Sequence, residues 1–402
     1  MSLDENSRVL NRFLGLNNVA DPMRGTDTGM ETARTWEWQS IADNVDGTNS
    51  GGLALREGYQ QFIPATGISG SYSTFDYSRC YIIDSGTLKQ VNHDGTTRTL
   101  YGTLSGVPFW SEINDVIYLS CGADKLQVHA DGSIRRWGVP TPIQPTVNAV
   151  SGSLYAGTVQ VAFTYTDEFG REGGASPSVA VTVGENGGVA ISGIPATAGY
   201  RTNIYATESD GAVFYFAGSF SGQTAYTLTH MPHGPELTTQ FLDEVPENAK
   251  YVAALGANLY ASEYIPELDQ TVVWSSEALG YHLFNLNSNY FLIPGEVTQM
   301  YGAKTGLLVT THNRTFVYNG DKLDQVAEYG AVPGQHADLG ADEKIYFWTK
   351  RGLCRVMPFE NLTETRVSVA PGVYAGGGIV ERGGYKKYVA VIHQGGDAFN
   401  RR

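Results

Sequence analysis

Hydrophobic and polar residues alternate along most of this chain in short runs, and turn residues separate the runs at even intervals. YIIDSGTLKQVNHDGTTRTLYG (Tyr81–Gly102) and IYLSCGADKLQVHADGSIRRWG (Ile117–Gly138) read as copies of one unit. Each has an apolar strand, a Ser-Gly or Cys-Gly turn, a strand ending in Val, a His, then Asp-Gly and a closing strand. A period of two predicts half-buried strands. The Asp-Gly steps end at Gly95 and Gly132, a repeat of 37 residues, and Asp-Gly between alternating runs predicts a two-residue type I′ hairpin.

The rhythm resumes later in NLYASEYIPELDQTVVWS (Asn258–Ser275), GLLVTTHNRTFVYNG (Gly306–Gly320), KIYFWTKRGLCRV (Lys344–Val356) and YKKYVAVIHQGG (Tyr385–Gly396). Leu307 to Ile345 spans 38 residues and Ile345 to Tyr388 spans 43, each near the length of one four-stranded propeller blade. Between the halves, Pro140, Pro142 and Pro145 form a stiff linker. Val159, Val161, Phe163 and Tyr165 then alternate before a Glu-Phe-Gly turn, and Ile204-Tyr205 precedes Ser-Asp-Gly, the short-strand rhythm of a β-sandwich.

The expected fold is therefore all-β: a β-propeller of about six blades interrupted by a fibronectin-III/Ig-like sandwich. The boundaries expected are an arm at 1–52, a first propeller part at 53–147, the insert at 148–247 and a second propeller part at 248–402. Gly152–Pro246 should hold about seven strands with its own core, and its two crossings should lie close together. Within the arm, a short helix is expected around Met30–Ile41, with Thr26 or Asp27 as its cap. Leu53–Phe62 is expected to pair with late C-terminal strands and so remove a sheet edge.

Composition strengthens the all-β reading, because 48 Gly and 24 Tyr with only 17% charged residues suit many strands joined by tight turns. Cys80, Cys121 and Cys354 are odd in number, far apart and outside any Cys/His cluster, so they read as free thiols. The start, MSLDENSRVLNRFLG, carries charge where a signal peptide needs an apolar stretch, and no long apolar run follows. A chain made in the cytoplasm with no membrane insertion is expected. The net charge of −14, with no Lys/Arg cluster, argues against a tight nucleic-acid groove.

Several residues could carry chemistry, and each has a structural alternative. His93-Asp94 and His129 with Asp131 fall at matching places in the repeat, which suits hairpin turns better than an acid/base pair. Glu112 with Asp115, Asp167 with Glu168 and Asp342 with Glu343 could mimic a glycosidase pair, yet all flank strands at turn-like positions. Trp36-Glu37-Trp38, Tyr346-Phe347-Trp348 and Phe214-Tyr215-Phe216 could stack on sugars, and fit equally well as sheet core. Asn313-Arg314-Thr315 and Asn361-Leu362-Thr363 match a glycosylation pattern that is idle without secretion. No phosphate loop, dinucleotide fingerprint, nucleophile elbow or metal motif occurs, so no catalytic, cofactor-binding or metal residue and no cofactor is assigned.

The order of the pieces carries a resemblance. GLNNVADPMR (Gly15–Arg24), Asn-Val-Asp followed by Gly-Leu-x-x-Arg-x-Gly (Asn44–Gly58), Trp-Gly-Val-Pro (Trp137–Pro140), Gly-x-Leu-x-x-Gly-x-x-x-Val-x-x-x-Tyr (Gly152–Tyr165) and Tyr-Gly-Ala-Val-Pro-Gly (Tyr329–Gly334) together resemble tailed-bacteriophage proteins of the tail hub or nozzle. Packaged-DNA stabilisation proteins of short-tailed phages are the nearest comparison. The resemblance implies a non-enzymatic virion protein of the tail, made in the host bacterial cytoplasm. It implies a ring, commonly of six copies, that contacts portal or adaptor proteins and tail fibre, spike or needle proteins. Viral DNA would pass through it without specific binding. A baseplate or tail-fibre adaptor, and a virion propeller that binds or cleaves host glycans, are the alternatives.

Overall fold

A computed structural model describes residues 61–65, 67–365, 367–382 and 385–394, with the backbone of short strands at Gly15–Leu16, Trp38–Gln39, Val45–Gly47 and Leu53–Leu55. Among the described residues every regular element is a strand except a single 3-10 turn at Pro266–Leu268, so the chain is all-β and built mainly of antiparallel sheets. It divides into two compact units, 66–296 and 1–65 with 297–402.

In unit 66–296, sheet I comprises Ile68–Ser73, Cys80–Asp84, Thr87–Val91 and Thr97–Tyr101 in sequence order. Sheet II repeats the plan with Pro108–Ile113, Val116–Cys121, Asp124–Val128 and Ile134–Arg136. Alternation turns Tyr81, Ile83 and Leu88 of sheet I and Trp110, Ile117, Leu119 and Val128 of sheet II into one shared core. Burying each such side chain stabilises by about 1.5–3 kcal/mol. The first strands of the two sheets lie side by side, with Tyr72 stacked on Trp110 at 5.8 Å between centroids. A Cβ on Gly70 would fall 2.3 Å from Pro108 Cγ, so this approach requires glycine.

The Asp-Gly hairpins differ from expectation. Asn92 N–H donates to Thr96 O and Gly95 N–H to Asn92 O, which closes a three-residue loop; His129 and Ser133 do the same in sheet II. Only the glycine of each loop takes positive φ, +83° at both Gly95 and Gly132, as in a type I turn followed by a left-handed residue. The carboxylate decides this geometry: Asp94 Oδ1 accepts from Thr96 N–H and Asp131 Oδ1 from Ser133 N–H, bonds that hold the Asp in a right-handed turn. Two-residue loops with both residues at positive φ occur instead at Ser85-Gly86 and Asn114-Asp115. The equivalence also shifts: His129 corresponds to Asn92, and His93 to Ala130.

Sheet III (Thr146–Leu154, Gly187–Ser192, Ala225–Leu228) and sheet IV (Val179–Val183, Gly157–Asp167, Tyr200–Thr207, Phe214–Phe220) face each other across a separate core. Leu154, Val189 and Leu228 from sheet III meet Val161, Phe163 and Ile204 from sheet IV there. Sheet V follows, with Tyr251–Leu255, Asn258–Ile265 and Gln270–Glu277; the last of these pairs with Tyr290–Pro294 along most of its length and with Gly280–Phe284 at its end.

In the other unit, sheet VI (Val297–Ala303, Gly306–Thr311, Thr315–Tyr318, Leu323–Ala327) and sheet VII (Asp338–Leu339, Ile345–Thr349, Gly352–Val356, Glu360–Asn361) share a core around Leu308, Phe347 and Val356. Sheet VIII joins Gly334–Gln335, Tyr374–Arg382 and Tyr385–His393.

Two expectations for the N-terminal segment are corrected. Leu53–Leu55 pairs antiparallel with Val45–Gly47, its neighbour in sequence, and Tyr374–Arg382 pairs with Tyr385–His393 and Gly334–Gln335. A five-residue connection closes far more cheaply than one spanning most of the chain. Residues 56–60 of the expected strand lie outside the described residues. Trp38–Gln39, at the end of the expected helix, is a strand paired in parallel with Gly15–Leu16; the rest of Met30–Ile41 lies outside the described residues.

Candidate functional site

A dense set of non-local polar contacts in unit 66–296 forms a joint where sheets III and IV leave and rejoin the other strands. The chain runs in from sheet II through Trp137, Gly138 and Val139, and returns through Leu242, Asp243 and Glu244. Arg136 holds Glu244 through Nε and Nη2, the shortest contacts being 2.9 Å, and Thr141 Oγ1 donates to Asp243 Oδ1 at 2.6 Å. The two crossings therefore lie side by side. Asp243 also exchanges backbone hydrogen bonds with Phe284, which ties the return to sheet V.

Trp137 is fully buried, and its indole N–H donates to Tyr281 O at 2.6 Å. Tyr118 and Phe284 meet its ring edge-on. From the sandwich side comes the loop after Asp167. Arg171 pairs with Asp167 at 2.8 Å and donates to Trp137 O and Arg136 O, both at 3.0 Å. One guanidinium thus binds the sandwich to the incoming crossing. Asp167 Oδ1 also accepts from Phe169 N–H and Arg171 N–H, and Arg135 lies 3.6 Å over the Phe169 ring. His282 of sheet V bonds Glu172 O through Nε2, which fixes Nε2 as the protonated nitrogen. At Gly174 a Cβ would sit 1.8 Å from Leu242 O, so the loop and the outgoing crossing touch backbone to backbone.

The electrostatics are those of a fixed joint. Burial pushes the Glu244 carboxyl up while Arg136 pulls it back down. Burial, then the nearby Arg171 charge, pushes the His282 imidazole down and keeps it neutral near pH 7. Arg171→Ala is expected to cost roughly 2 kcal/mol, since it removes charge-assisted bonds and leaves the shielded Asp167 carboxylate with amide partners alone. Urea unfolding reads the loss, and faster proteolysis between 229 and 250 should accompany it; unchanged stability and cleavage would show that the guanidinium braces nothing.

Beyond the pairing of Asp167 with Arg171, the sequence-derived candidates do not converge. Asp94 and Asp131 are turn acceptors, as described, and the bonds from Thr96 and Ser133 hold both carboxyls below the usual range. Glu112 is buried against Phe75 N–H and Tyr72 Oη, and burial raises its pKa. Asp115 and Glu343 occupy left-handed turn positions, while Asp342 pairs with Arg355 at 3.4 Å. Phe214, Phe347 and Trp348 are buried, so their two strings supply core, while the side chains of Trp36-Glu37-Trp38 lie outside the described residues. The thiols of Cys80, Cys121 and Cys354 are free, and burial pushes Cys121 up to about 11. Among the described residues no group of three or more His, Cys, Asp or Glu could hold a metal ion, and no helix is long and apolar enough to cross a membrane.

Arg171, Asp243, Glu244 and His282 escaped sequence reasoning. One signal was available: Arg171 and Arg201 are the only basic residues apart from histidine between Arg136 and Lys250. A cation so isolated in an acidic stretch is worth tracing to its partner.

No family model matches this chain, and no curated protein matches it. Solved structures match only loosely. Kuenenia stuttgartiensis hydrazine synthase is 9% identical with a TM-score of 0.34, over 79% of this chain and 93% of that one. The WD40 domain of SCAP from fission yeast is 8% identical with a TM-score of 0.28, over 81% and 72%. The extracellular domain of a hybrid two-component system from B. thetaiotaomicron is 8% identical with a TM-score of 0.28, over 78% of this chain; the match spans about a third of that protein, 36%. Scores this low carry no argument about activity or partners.

Proposed function

We propose that this chain is a structural protein of a bacteriophage tail, of the hub or nozzle kind, forming a ring that continues the DNA conduit, helps retain packaged DNA and docks other tail components. The observation that carries the reading is where the resembling motifs fall. Trp137 to Pro140 form the buried incoming crossing of the joint. Gly152 to Tyr165 run from the end of Thr146–Leu154 into Gly157–Asp167, and Ala331 and Val332 are buried where Val332 N–H meets Trp348 O. The Trp-Gly-Val-Pro and Tyr-Gly-Ala-Val-Pro-Gly residues thus lie at connections between sheets, while most of Gly15–Arg24 and of Asn44–Gly58 lies outside the described residues.

In this reading the sheets outside the insert belong to a propeller of about six blades, and sheets III and IV form the inserted sandwich of fibronectin-III/Ig-like class. Successive four-stranded sheets packed face to face, as I and II are, support the propeller, and seven strands in two facing sheets support the sandwich class. A chain with net charge −14 suits a conduit, because lysine or arginine rows would hold passing phosphates. The purified chain is expected to form closed rings, six copies in number, with roughly 1,000 Å² or more buried at each contact. Native mass spectrometry with particle imaging tests this, and a monomer at every micromolar concentration tried would defeat the ring.

A further inference from the structure

The loop Phe75-Asp76-Tyr77-Ser78-Arg79, between the first two strands of sheet I, presents two aromatic rings to solvent on a backbone tied down through the N–H groups of Phe75, Tyr77, Ser78 and Arg79. Phe75 is 58% exposed and Tyr77 51%. Beneath them Thr74 is buried, and its hydroxyl donates to Asp76 Oδ1 and accepts from Arg79 N–H. Thr74 N–H donates to Arg79 O and Tyr77 N–H to Thr74 O. Ser78 N–H donates to Asp76 Oδ1, and Phe75 N–H reaches across to the buried Glu112 of sheet II at 3.0 Å. Tyr77 holds φ +56°, a conformation that bulky residues adopt only where the surroundings impose it. With the backbone set in this way, only the two side-chain torsions of each ring remain to be ordered on binding, which suits an interface anchor.

The charges around the loop select the partner. Sheets I and II run their first strands in the same direction, so the loop, the 93–95 hairpin, the Asn114-Asp115 turn and the 130–132 hairpin share one end. Asp76, Asp94, Asp115 and Asp131 are exposed there. The hydrogen bonds from Ser78 and Thr74 hold Asp76 firmly ionised, those from the Ser78 N–H and the Thr74 hydroxyl both falling on Oδ1. Of the arginines at this end, Arg79 turns in on Glu112, Arg135 covers Phe169 and Arg98 lies beside Gly132. Phosphate-bearing surfaces are repelled by such an end. A second copy of a chain with net charge −14 also meets it with like charge on average.

We propose that this end of sheets I and II docks a basic, apolar segment of a different protein, with Phe75 and Tyr77 as anchors and the four aspartates facing its lysines or arginines. The test is fluorescence anisotropy of the full chain with a labelled arginine/leucine peptide and a glutamate/leucine peptide of equal length. The basic peptide should bind and weaken with added salt, and the acidic one should not. Phe75→Ser with Tyr77→Ser should weaken binding at least about tenfold, and Asp115→Lys several-fold. Because the double variant could disturb the loop, Tyr77→Gly serves as a second probe. Glycine accepts the positive φ, so melting should hold steady or rise while binding falls. Failure of the basic peptide to bind, equal binding of the acidic one, or undiminished binding by Tyr77→Gly overturns the proposal. So does self-association of the wild-type chain that the double substitution abolishes.

Discussion

Trp137→Ala is expected to lower the stability of unit 66–296 by about 3–5 kcal/mol, the largest single effect in this protein. The indole is fully buried, touches Tyr118 and Phe284 edge-on, and spends its only polar atom on Tyr281 O. Alanine leaves a cavity at the joint and an unpaired carbonyl, two costs that add. Trp137→Phe keeps much of the ring and loses the N–H, so a smaller loss of about 1–2 kcal/mol should separate the hydrogen bond from the packing. Urea titration checks both. A midpoint for the alanine variant within error of wild type would mean that the crossing is held elsewhere.

The second large effect depends on pH. His336 is completely buried; its Nε2–H donates to Val332 O at 2.7 Å and its Nδ1 accepts from Trp348 N–H at 3.1 Å. Both nitrogens are used by a neutral ring, and burial pushes its pKa down to about 4. In the unfolded chain the same group titrates near 6.5. Between these values the unfolded state binds a proton that the folded state refuses. The stability is therefore fully present above pH 6.5 and is lost as pH falls towards 4, by roughly 3 kcal/mol in all. Denaturant midpoints measured from pH 7 to 4 should show this slope. His336→Asn should lower stability at pH 7 and flatten the profile across that window; an unchanged slope would assign the loss to other groups.

His336 shows the limit of reading one residue at a time. Its sequence context, Gly-Gln-His-Ala, carries no sign of burial, since the groups that satisfy it come from Val332 and from the middle of a strand in sheet VII. The joint behaves in the same way. Trp-Gly-Val-Pro stood out as a motif, but nothing nearby in sequence indicated that Tyr281 would accept from Trp137, or that Arg171 would bind the carbonyls of Arg136 and Trp137.

By itself the sequence determined what depends on neighbours along the chain. Alternation made Tyr81 and Ile83, or Val161 and Phe163, face a core, and Gly with Asp or Asn marked the turns, because side-chain direction and turn preference are set within a few residues. Tertiary structure decided the rest. It placed Tyr281 against the indole of Trp137 and Trp348 against the ring of His336. It gave Leu53–Leu55 its partner, and it brought Arg136 to Glu244. Strand pairing and ion pairing are choices among distant segments with similar local patterns. Loop-closure entropy and the fit of side chains in three dimensions make those choices, and neither is written in any short stretch of sequence.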